Sequence, residues 1–416
     1  MLAGTLTGAP TGALPAEGAG PLRLLTFSTL FPSSAQPNHG VFVENRLRHL
    51  VATGEAVSTV LAPVPWFPSA NPRYGAWARQ AATPRREHRH GLAVHHPRYL
   101  ALPKVGMSVA PYTLYRAARR EAARLMAEGQ AFDLIDAHYL YPDGVAAAWL
   151  GRRLGLPVVA TARGSDVTQL PDFARPRRLI LRMVAEVDAL ITVSGGLRDA
   201  LVGLGAPPDK VTVLRNGVDL DAFRPADRAA ARAELGLDGP TLLSVGHLVE
   251  RKGHDRVIAA LRDLPGWRLL IVGDGPERGR LEALAAGPEV AGRVRLLGAR
   301  PHRDLPAIYT AADALVLASS REGWANVLLE AMACGTPVVA SPIPGNPEVV
   351  RSRAAGVIMP TNTPEGVAAG VRDLAAAPPG RDATRAYAEG FGWEETSAGQ
   401  LALFRRVLQA RQGHVG

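Results

Sequence analysis

Leu242-Leu243-Ser244-Val245-Gly246-His247-Leu248-Val249-Glu250-Arg251-Lys252-Gly253 reads as a strand that stops at a glycine and turns into a helix. A short apolar run bounded by a turn signal suits a strand covered on both faces. A glycine turn, basic side chains and a helix start, in that order, suit a diphosphate. Unpaired N–H groups at the helix start and the cations both favour negative charge there. A plain βα turn with solvated basic residues carries the same signature.

Outward from this stretch the same unit recurs. Downstream, residues 268–272, 294–297, 314–317, 338–340 and 356–359 are strand candidates, and helices follow most of them. A final helical segment runs from about Glu394 to Gln409. Upstream, strands over 22–27, 57–61, 134–137, 158–161, 189–193 and 211–214 alternate with helices over 42–52, 113–127, 144–154 and 179–185. This rhythm predicts an α/β fold with parallel sheets covered on both faces. Breakers at Asn216-Gly217, Arg224-Pro225 and Asp238-Gly239-Pro240 divide it in two. The predicted domains are 21–215 and 216–385, with a helical segment over 386–416 packing back on the first. Residues 1–20 are mostly Ala, Gly, Thr and Pro, without a basic start or an unbroken apolar core. They read as a disordered tail rather than a signal peptide. Ligands of doubly wound sheets sit at the carboxyl ends of the strands, so the cleft between the two domains is the expected site.

The chain has 416 residues, more than a single core usually serves. No run of 18 apolar residues exists to span a bilayer as a helix. The single cysteine, Cys334, excludes an internal disulfide and a Cys-type zinc cluster, and reads as packing in an apolar helix end. Residues 1–215 hold 24 Lys and Arg against 15 Asp and Glu, whereas 216–416 hold 23 of each. The whole excess of +9 therefore lies in the first half, which suggests an acidic partner there. Only Lys104, Lys210 and Lys252 among the basic residues are lysines, which singles out Lys252 in the second half.

Residues 62–104 break the rhythm. They mix prolines with Trp66, Phe67, Tyr74, Trp77, Tyr99, Arg85, Arg86, Arg89 and Arg98, and read as a long irregular loop. It is either solvated or a surface that dips rings into a membrane interface while arginines meet lipid phosphates. No helix-turn-helix or zinc-finger spacing is present, so nucleic acid is not an expected partner. His88, His90, His95 and His96 lie in the same stretch without ligand spacing and read as solvated.

Two further elements carry chemistry. Val272-Gly273-Asp274-Gly275-Pro276-Glu277 is a strand end with a tight turn, and its glycines at 273, 275 and 279 miss the dinucleotide G-x-G-x-x-G spacing by one. In Glu322-Gly323-Trp324-Ala325-Asn326-Val327-Leu328-Leu329-Glu330, a helix starting near Ala325 leaves Glu322 in the preceding loop and Glu330 in the second turn. The first carboxylate suits sugar hydroxyls while free N–H groups hold phosphate, and the second suits the two hydroxyls of a ribose. An amphipathic helix with two solvated acids is the plain alternative.

Val-Gly-x-Leu-x-x-x-Lys-Gly, Gly-Asp-Gly-Pro and Glu-x7-Glu continued by Ala-Met-Ala-Cys-Gly-Thr-Pro-Val-Val-Ala, in this order, resemble the retaining glycosyltransferases of family 4. Thr161-Ala162-Arg163-Gly164-Ser165-Asp166, Val193-Ser194, and Arg215-Asn216-Gly217-Val218-Asp219 with Phe223-Arg224-Pro225 agree. The resemblance covers roughly residues 22–410 and is greatest to the subgroup that builds bacterial surface and exported polysaccharides. It implies a GT-B architecture, two Rossmann-like domains facing a cleft, the second binding a nucleotide-sugar and the first an acceptor. Lys252 matches the lysine on the donor diphosphate, Glu322 the acid on the transferred sugar, and His138 the first-domain histidine near that sugar. Gly246, His247, Arg251, Gly273, Asn326, Val327 and Glu330 fall on the donor side, Glu330 on the ribose. Gly40, Arg163, Asp166 and Asn216 fall on the acceptor side, and Asp166 reads equally as a turn cap. The family commonly has arginine where His247 stands, leaving Arg251 as a substitute.

The expected donor is a UDP-sugar first and a GDP-sugar second, with a lipid-linked or saccharide acceptor. No cofactor or metal is expected, and no first-half carboxylate presents itself as a nucleophile. The expected place is the cytoplasm, on the inner face of an anionic membrane. The alternatives are another GT-B enzyme, such as a nucleotide-sugar epimerase, and a sugar-nucleotide-binding protein with a degenerate site.

Overall fold

The computed structural model describes residues 20–101 and 106–413. The tail expected over 1–20 therefore lies, except for Gly20, outside the described residues, and so does Lys104. The first sheet contains β1 (Leu22–Phe27), β2 (Ala56–Leu61), β3 (Arg86–Arg89), β4 (Leu92–His95), β5 (Leu134–His138), β6 (Val158–Ala162), β7 (Ala189–Thr192) and β8 (Val211–Val213). Its order is β8-β7-β6-β5-β1-β2-β4-β3, parallel throughout except for the β3–β4 pair. The helices of this half are α1 (Val41–Ala52), α2 (Gly106–Ala127), α3 (Val145–Leu154), α4 (Ala174–Glu186) and α5 (Gly195–Gly203). Alternate strand residues serve opposite faces, as the pleat requires. Leu25, Phe27, Ile135 and Ala160 pack towards α2, α3 and α4, whereas Leu24, Val60, Leu134 and Val159 pack towards α1.

The second sheet is wholly parallel: β9 (Thr241–Val245), β10 (Arg268–Val272), β11 (Val294–Gly298), β12 (Ala314–Leu317), β13 (Val338–Ala340) and β14 (Gly356–Ile358), ordered β11-β10-β9-β12-β13-β14. Helices α6 (His254–Ala260), α7 (Arg278–Ala285), α8 (Leu305–Ala311), α9 (Asn326–Ala333) and α10 (Pro364–Ala376) cover its two faces. Then α11 (Arg381–Glu389) packs on α9, and α12 (Glu394–Gln412) returns to the first domain. There Leu401, Phe404 and Val407 join Leu24 and Leu134 in one core. Strand order reverses between β1 and β5 and between β9 and β12, so each sheet opens a crevice at those carboxyl ends.

The 62–104 segment is a correction. Instead of one long loop it adds β4, parallel to β2, and the edge strand β3. Four-residue strands with histidines and arginines give little periodic signal, and charge on an edge strand is a normal guard against further pairing. The histidines divide accordingly. His95 is buried with Nδ1 3.0 Å from Glu121, and His96 is buried with Nε2 2.8 Å from Glu87, so neither is solvated.

The domains touch at several points. A Cβ on Gly323 would lie 1.9 Å from the Arg163 carbonyl oxygen, so only glycine permits that approach. Glu348 of the second domain accepts the N–H groups of Gly195 and Gly196, each at 3.0 Å, where α5 begins, and pairs with Arg215 at 2.6 Å. The two chain crossings run side by side, Val218 N–H donating to the Phe391 carbonyl at 2.9 Å. No described helix is long and apolar enough to cross a membrane.

Candidate active site

Two cavities open along the cleft and share Val327. One of about 460 Å³ lies between the domains, with Lys252, Glu322 and Asn326 on one wall and Tyr139, Arg163 and Asn216 on the other. The second, about 800 Å³, lies over the second sheet against Gly246, His247, Gly273 and Glu330, with Asn38 and His39 reaching across.

The second-domain wall is made by strand ends. β9 stops at Gly246, whose φ of 154° disfavours any side chain. A Cβ on Gly273, after β10, would sit 1.8 Å from the Gly246 carbonyl oxygen. The two turns press backbone on backbone and keep the cavity floor bare. Lys252 follows in a single turn, and its Nζ donates to Glu322 Oε1 at 2.5 Å, with the side chains 14% and 10% exposed. The Arg251 guanidinium lies 4.0 Å from the other carboxylate oxygen. His247 stands in the larger cavity instead, its Nδ1 donating to the Asp274 carbonyl at 2.5 Å.

The Glu322 loop leads into α9, whose first amides lack intrahelical acceptors. The amide of Asn326 contacts the Trp324 carbonyl at 3.2 Å, and Val327 opens onto both cavities. One turn on, Glu330 Oε2 accepts the Tyr309 hydroxyl at 2.7 Å, and Oε1 lies 3.7 Å from His302 Nε2. Burial works against a charged His302, but the Glu330 carboxylate outweighs it and raises the ring's pKa.

The first-domain wall rests on a buried polar network. Arg163 donates to His138 Nδ1 at 2.7 Å and to Asn216 Oδ1 at 3.1 Å. Asn216 donates in turn to Asn326 Oδ1 across the cleft at 3.3 Å. Beneath, Arg46 donates to Gln400 Oε1 at 2.8 Å, to the Leu214 carbonyl at 3.0 Å and to Asn216 Oδ1 at 3.3 Å. Gln400 of α12 donates to Asp136 Oδ2 at 3.1 Å, and His138 Nε2 lies 3.2 Å from the same oxygen. Burial lowers Arg163 to about 9, with Arg46 repelling it, and lowers Arg46 to about 10. It also lowers His138, against the pull of Asp136, so this ring is neutral at pH 7. Asp136 is buried too, yet His138 and the two arginines hold it below the ordinary carboxylate value.

The positions named from sequence thus fall into two groups. Lys252, Glu322, Arg251, Asn326, Val327, Arg163 and Asn216 line the interdomain cavity, and Gly246, His247, Gly273 and Glu330 line the other. His138, Asp166 and Gly40 line neither. His138 is 1% exposed beneath Arg163 and acts on the cavity through that guanidinium. Asp166 is fully buried and accepts from the amides of Leu140, Arg163 and Gly164 at 2.7–3.1 Å, the turn-capping role. Gly40 begins α1 with φ 72°, and a Cβ would lie 2.4 Å from the Leu30 carbonyl oxygen, so it is a packing glycine. Sequence reasoning passed over Tyr139, held at φ 83° with its hydroxyl 2.6 Å from Ser165 Oγ. A non-glycine residue in that region stores strain, a mark of functional walls. It also passed over His39, Arg79, His302 and Arg321, single polar residues on separate segments that only the fold gathers.

Residues 40–222 match the model of Glycosyltransferase Family 4, and residues 227–391 match that of Glycosyl transferases group 1. A D-inositol 3-phosphate glycosyltransferase of Segniliparus rotundus is 36% identical over 307 residues, covering 68% of each chain. The chain belongs to glycosyltransferase family 4. A second relative of the same name, from Mycobacterium tuberculosis, is 35% identical over 302 residues, 67% of this chain and 62% of that protein. Among solved structures, sucrose-phosphate synthase from Thermosynechococcus elongatus is similar with TM-score 0.76 at 22% identity, over 94% of this chain and 100% of the other. Anabaena HepE in complex with UDP-glucose follows with 0.69 at 19%, over 91% and 98%. These likenesses show the fold, a two-domain Rossmann-like GT-B architecture.

Proposed function

We propose that this family 4 glycosyltransferase transfers a sugar from a UDP-sugar, with retention and without a metal, to a lipid-linked or saccharide acceptor at an anionic membrane surface, in cell-surface or exported polysaccharide synthesis. The observation that carries the reading is the Lys252–Glu322 pair at the mouth of α9, a cation and an acid neutralising each other inside the cleft. An arriving diphosphate takes Lys252 and the α9 amides, and Glu322, released, accepts a hydroxyl of the sugar. Glu330, in the adjoining cavity, takes the ribose. HepE, bound to UDP-glucose, supports the base.

The chemistry is a balanced displacement. The bond from the anomeric carbon to the phosphate oxygen breaks, and positive charge grows on the sugar while the diphosphate leaves. Lys252 and the α9 dipole stabilise that leaving charge, and fixed donors in a closed site do so without reorganising. The acceptor oxygen bonds to the same face of the carbon, and its proton passes to the departing phosphate. Neutral His138 accepts from Arg163 at Nδ1 and turns its Nε2–H towards Asp136, so it holds Arg163 against the cavity.

A second reading has the relatives' name in its favour: a phosphorylated polyol acceptor in place of a lipid or a glycan. Thermal shift with UDP, GDP and ADP tests the donor, since a ligand at 100 times its Kd adds about 2.7 kcal/mol. A shift with UDP that is lost in Lys252→Ala is expected, and no shift with any nucleotide overturns the reading. Radiolabelled UDP-sugars offered to inositol phosphate and, separately, to a membrane lipid extract decide the acceptor.

A further inference from the structure

One face of the first domain carries cations without counter-ions. α2 presents Arg116, Arg119 and Arg120, all exposed, and α3 presents Arg152 and Arg153. α4 adds Arg175, Arg177, Arg178 and Arg182, again exposed. Among the described residues none of these guanidiniums meets a carboxylate within ion-pair distance. The three helices pack against one another over the same side of the sheet, so their charges share one surface. Three of the six arginines of the ring-rich 62–104 segment are engaged within the fold. Arg89 pairs with Glu44 at 2.8 Å, Arg98 donates to the Thr83 carbonyl, and Arg73 lies over the Tyr74 ring. Three of the rings there pack together, Phe67 stacking on Trp77 at 5.5 Å and meeting Tyr74 edge-on at 5.3 Å, while Trp66 is exposed.

Apolar side chains stand among the unpaired arginines. Tyr112 is 53% exposed, Phe173 51% and Met107 43%. Between them Tyr112, Tyr115, Trp149, Arg152 and Arg153 line a groove of about 450 Å³. A solvated face has no use for these side chains, whereas a bilayer interface takes amphipathic rings at headgroup depth and guanidiniums at the phosphates. The position also fits, because Gln169, in the wall of the interdomain cavity, lies four residues before Phe173 at the start of α4.

We propose that the α2–α3–α4 face seats the enzyme on an anionic bilayer, with lipid phosphates in the groove of Tyr112, Trp149, Arg152 and Arg153. This rests on the membrane-surface reading above and names the surface that performs it. Guanidiniums without partners supply the attraction, which weakens with salt, and the inserted rings supply depth.

The test is co-sedimentation with phosphatidylcholine vesicles containing 30% phosphatidylglycerol, against pure phosphatidylcholine. Wild-type protein is compared with the triple variant Arg175→Glu, Arg178→Glu, Arg182→Glu, and with Arg85→Glu, Arg86→Glu in the ring-rich segment. A second face variant, Tyr112→Ala with Arg152→Glu, stands in if the triple variant does not fold. The UDP thermal shift is followed in every sample. Salt-sensitive binding of the wild type to the anionic vesicles is expected, at least tenfold weaker in the face variants and unchanged in the loop variant, with UDP shifts equal. Face variants that bind as well as wild type overturn the assignment of the surface and leave the membrane reading standing. Indifference of the wild type to anionic vesicles overturns both while the UDP shift still reports the transferase site. Equal binding of a short single-stranded RNA, lost in the same variants, overturns the lipid assignment in favour of a general polyanion surface.

Discussion

The two walls of the cleft meet the same ligand space and are built in opposite ways. On the second-domain side three short segments suffice: Gly246 and Gly273 clear the floor, and Lys252 and Glu322 stand at the rim. On the first-domain side the visible residues, Arg163 and Asn216, are the tips of a buried network that draws Arg46, Asp136, His138 and Gln400 from three distant elements. The second-domain wall is assembled from short motifs. The first-domain wall is non-local and holds the fold together as well, because α12 is tied to α1 and β5 through it.

Variants on the two sides should therefore fail differently. Arg46→Met, in the buried network, leaves Gln400, Asn216 and the Leu214 carbonyl short of a donor. Each buried acceptor left unsatisfied costs about 1–3 kcal/mol, so a large drop in Tm is expected, with the UDP shift retained in whatever folds. Equal stability would show the network to be ornamental. Lys252→Ala, on the other wall, should lower kcat by about 10²–10³, the effect of removing one preorganised charge donor, with Tm changed little. Near-normal turnover ends its role. Glu330→Gln keeps the Tyr309 hydrogen bond and loses the ribose acceptor's charge. A roughly tenfold rise in donor KM at unchanged kcat is expected, the mark of binding lost equally in ground and transition states.

The last effect is a titration. Burial raises the Asp143 carboxyl to about 7, although it accepts the Thr29 amide at 3.0 Å and hydroxyl at 2.9 Å. A folded-state pKa above the unfolded value of about 3.9 means that its contribution to stability is full below pH 4 and is lost as pH rises through 7. Asp143→Asn should flatten the Tm profile between those limits, and an unchanged slope would assign the effect to another group.

This contrast also explains what was legible beforehand. The strands and the donor wall could be read because glycine turns, helix starts and the Glu322–Glu330 spacing are short-range patterns. The network could not, since Gln400 meets Arg46 across 354 positions and neither residue departs from ordinary helix composition. His138 was readable as a strand-end residue, but not as one shielded by Arg163. The added strands β3 and β4 escaped because four-residue strands with charged residues or histidine resemble loops.

The meeting of Gly323 with Arg163 and Gly164 has a kinetic consequence. A Cβ on Gly164 would stand 3.2 Å from Gly323, and one on Gly323 only 1.9 Å from the Arg163 carbonyl, so the backbones touch directly over the interdomain cavity. A contact with no side chain in it cannot loosen by a rotamer change, so any parting of the domains there is a motion of backbone, slower than a side-chain flip. An added methyl at position 323 would prise that contact apart.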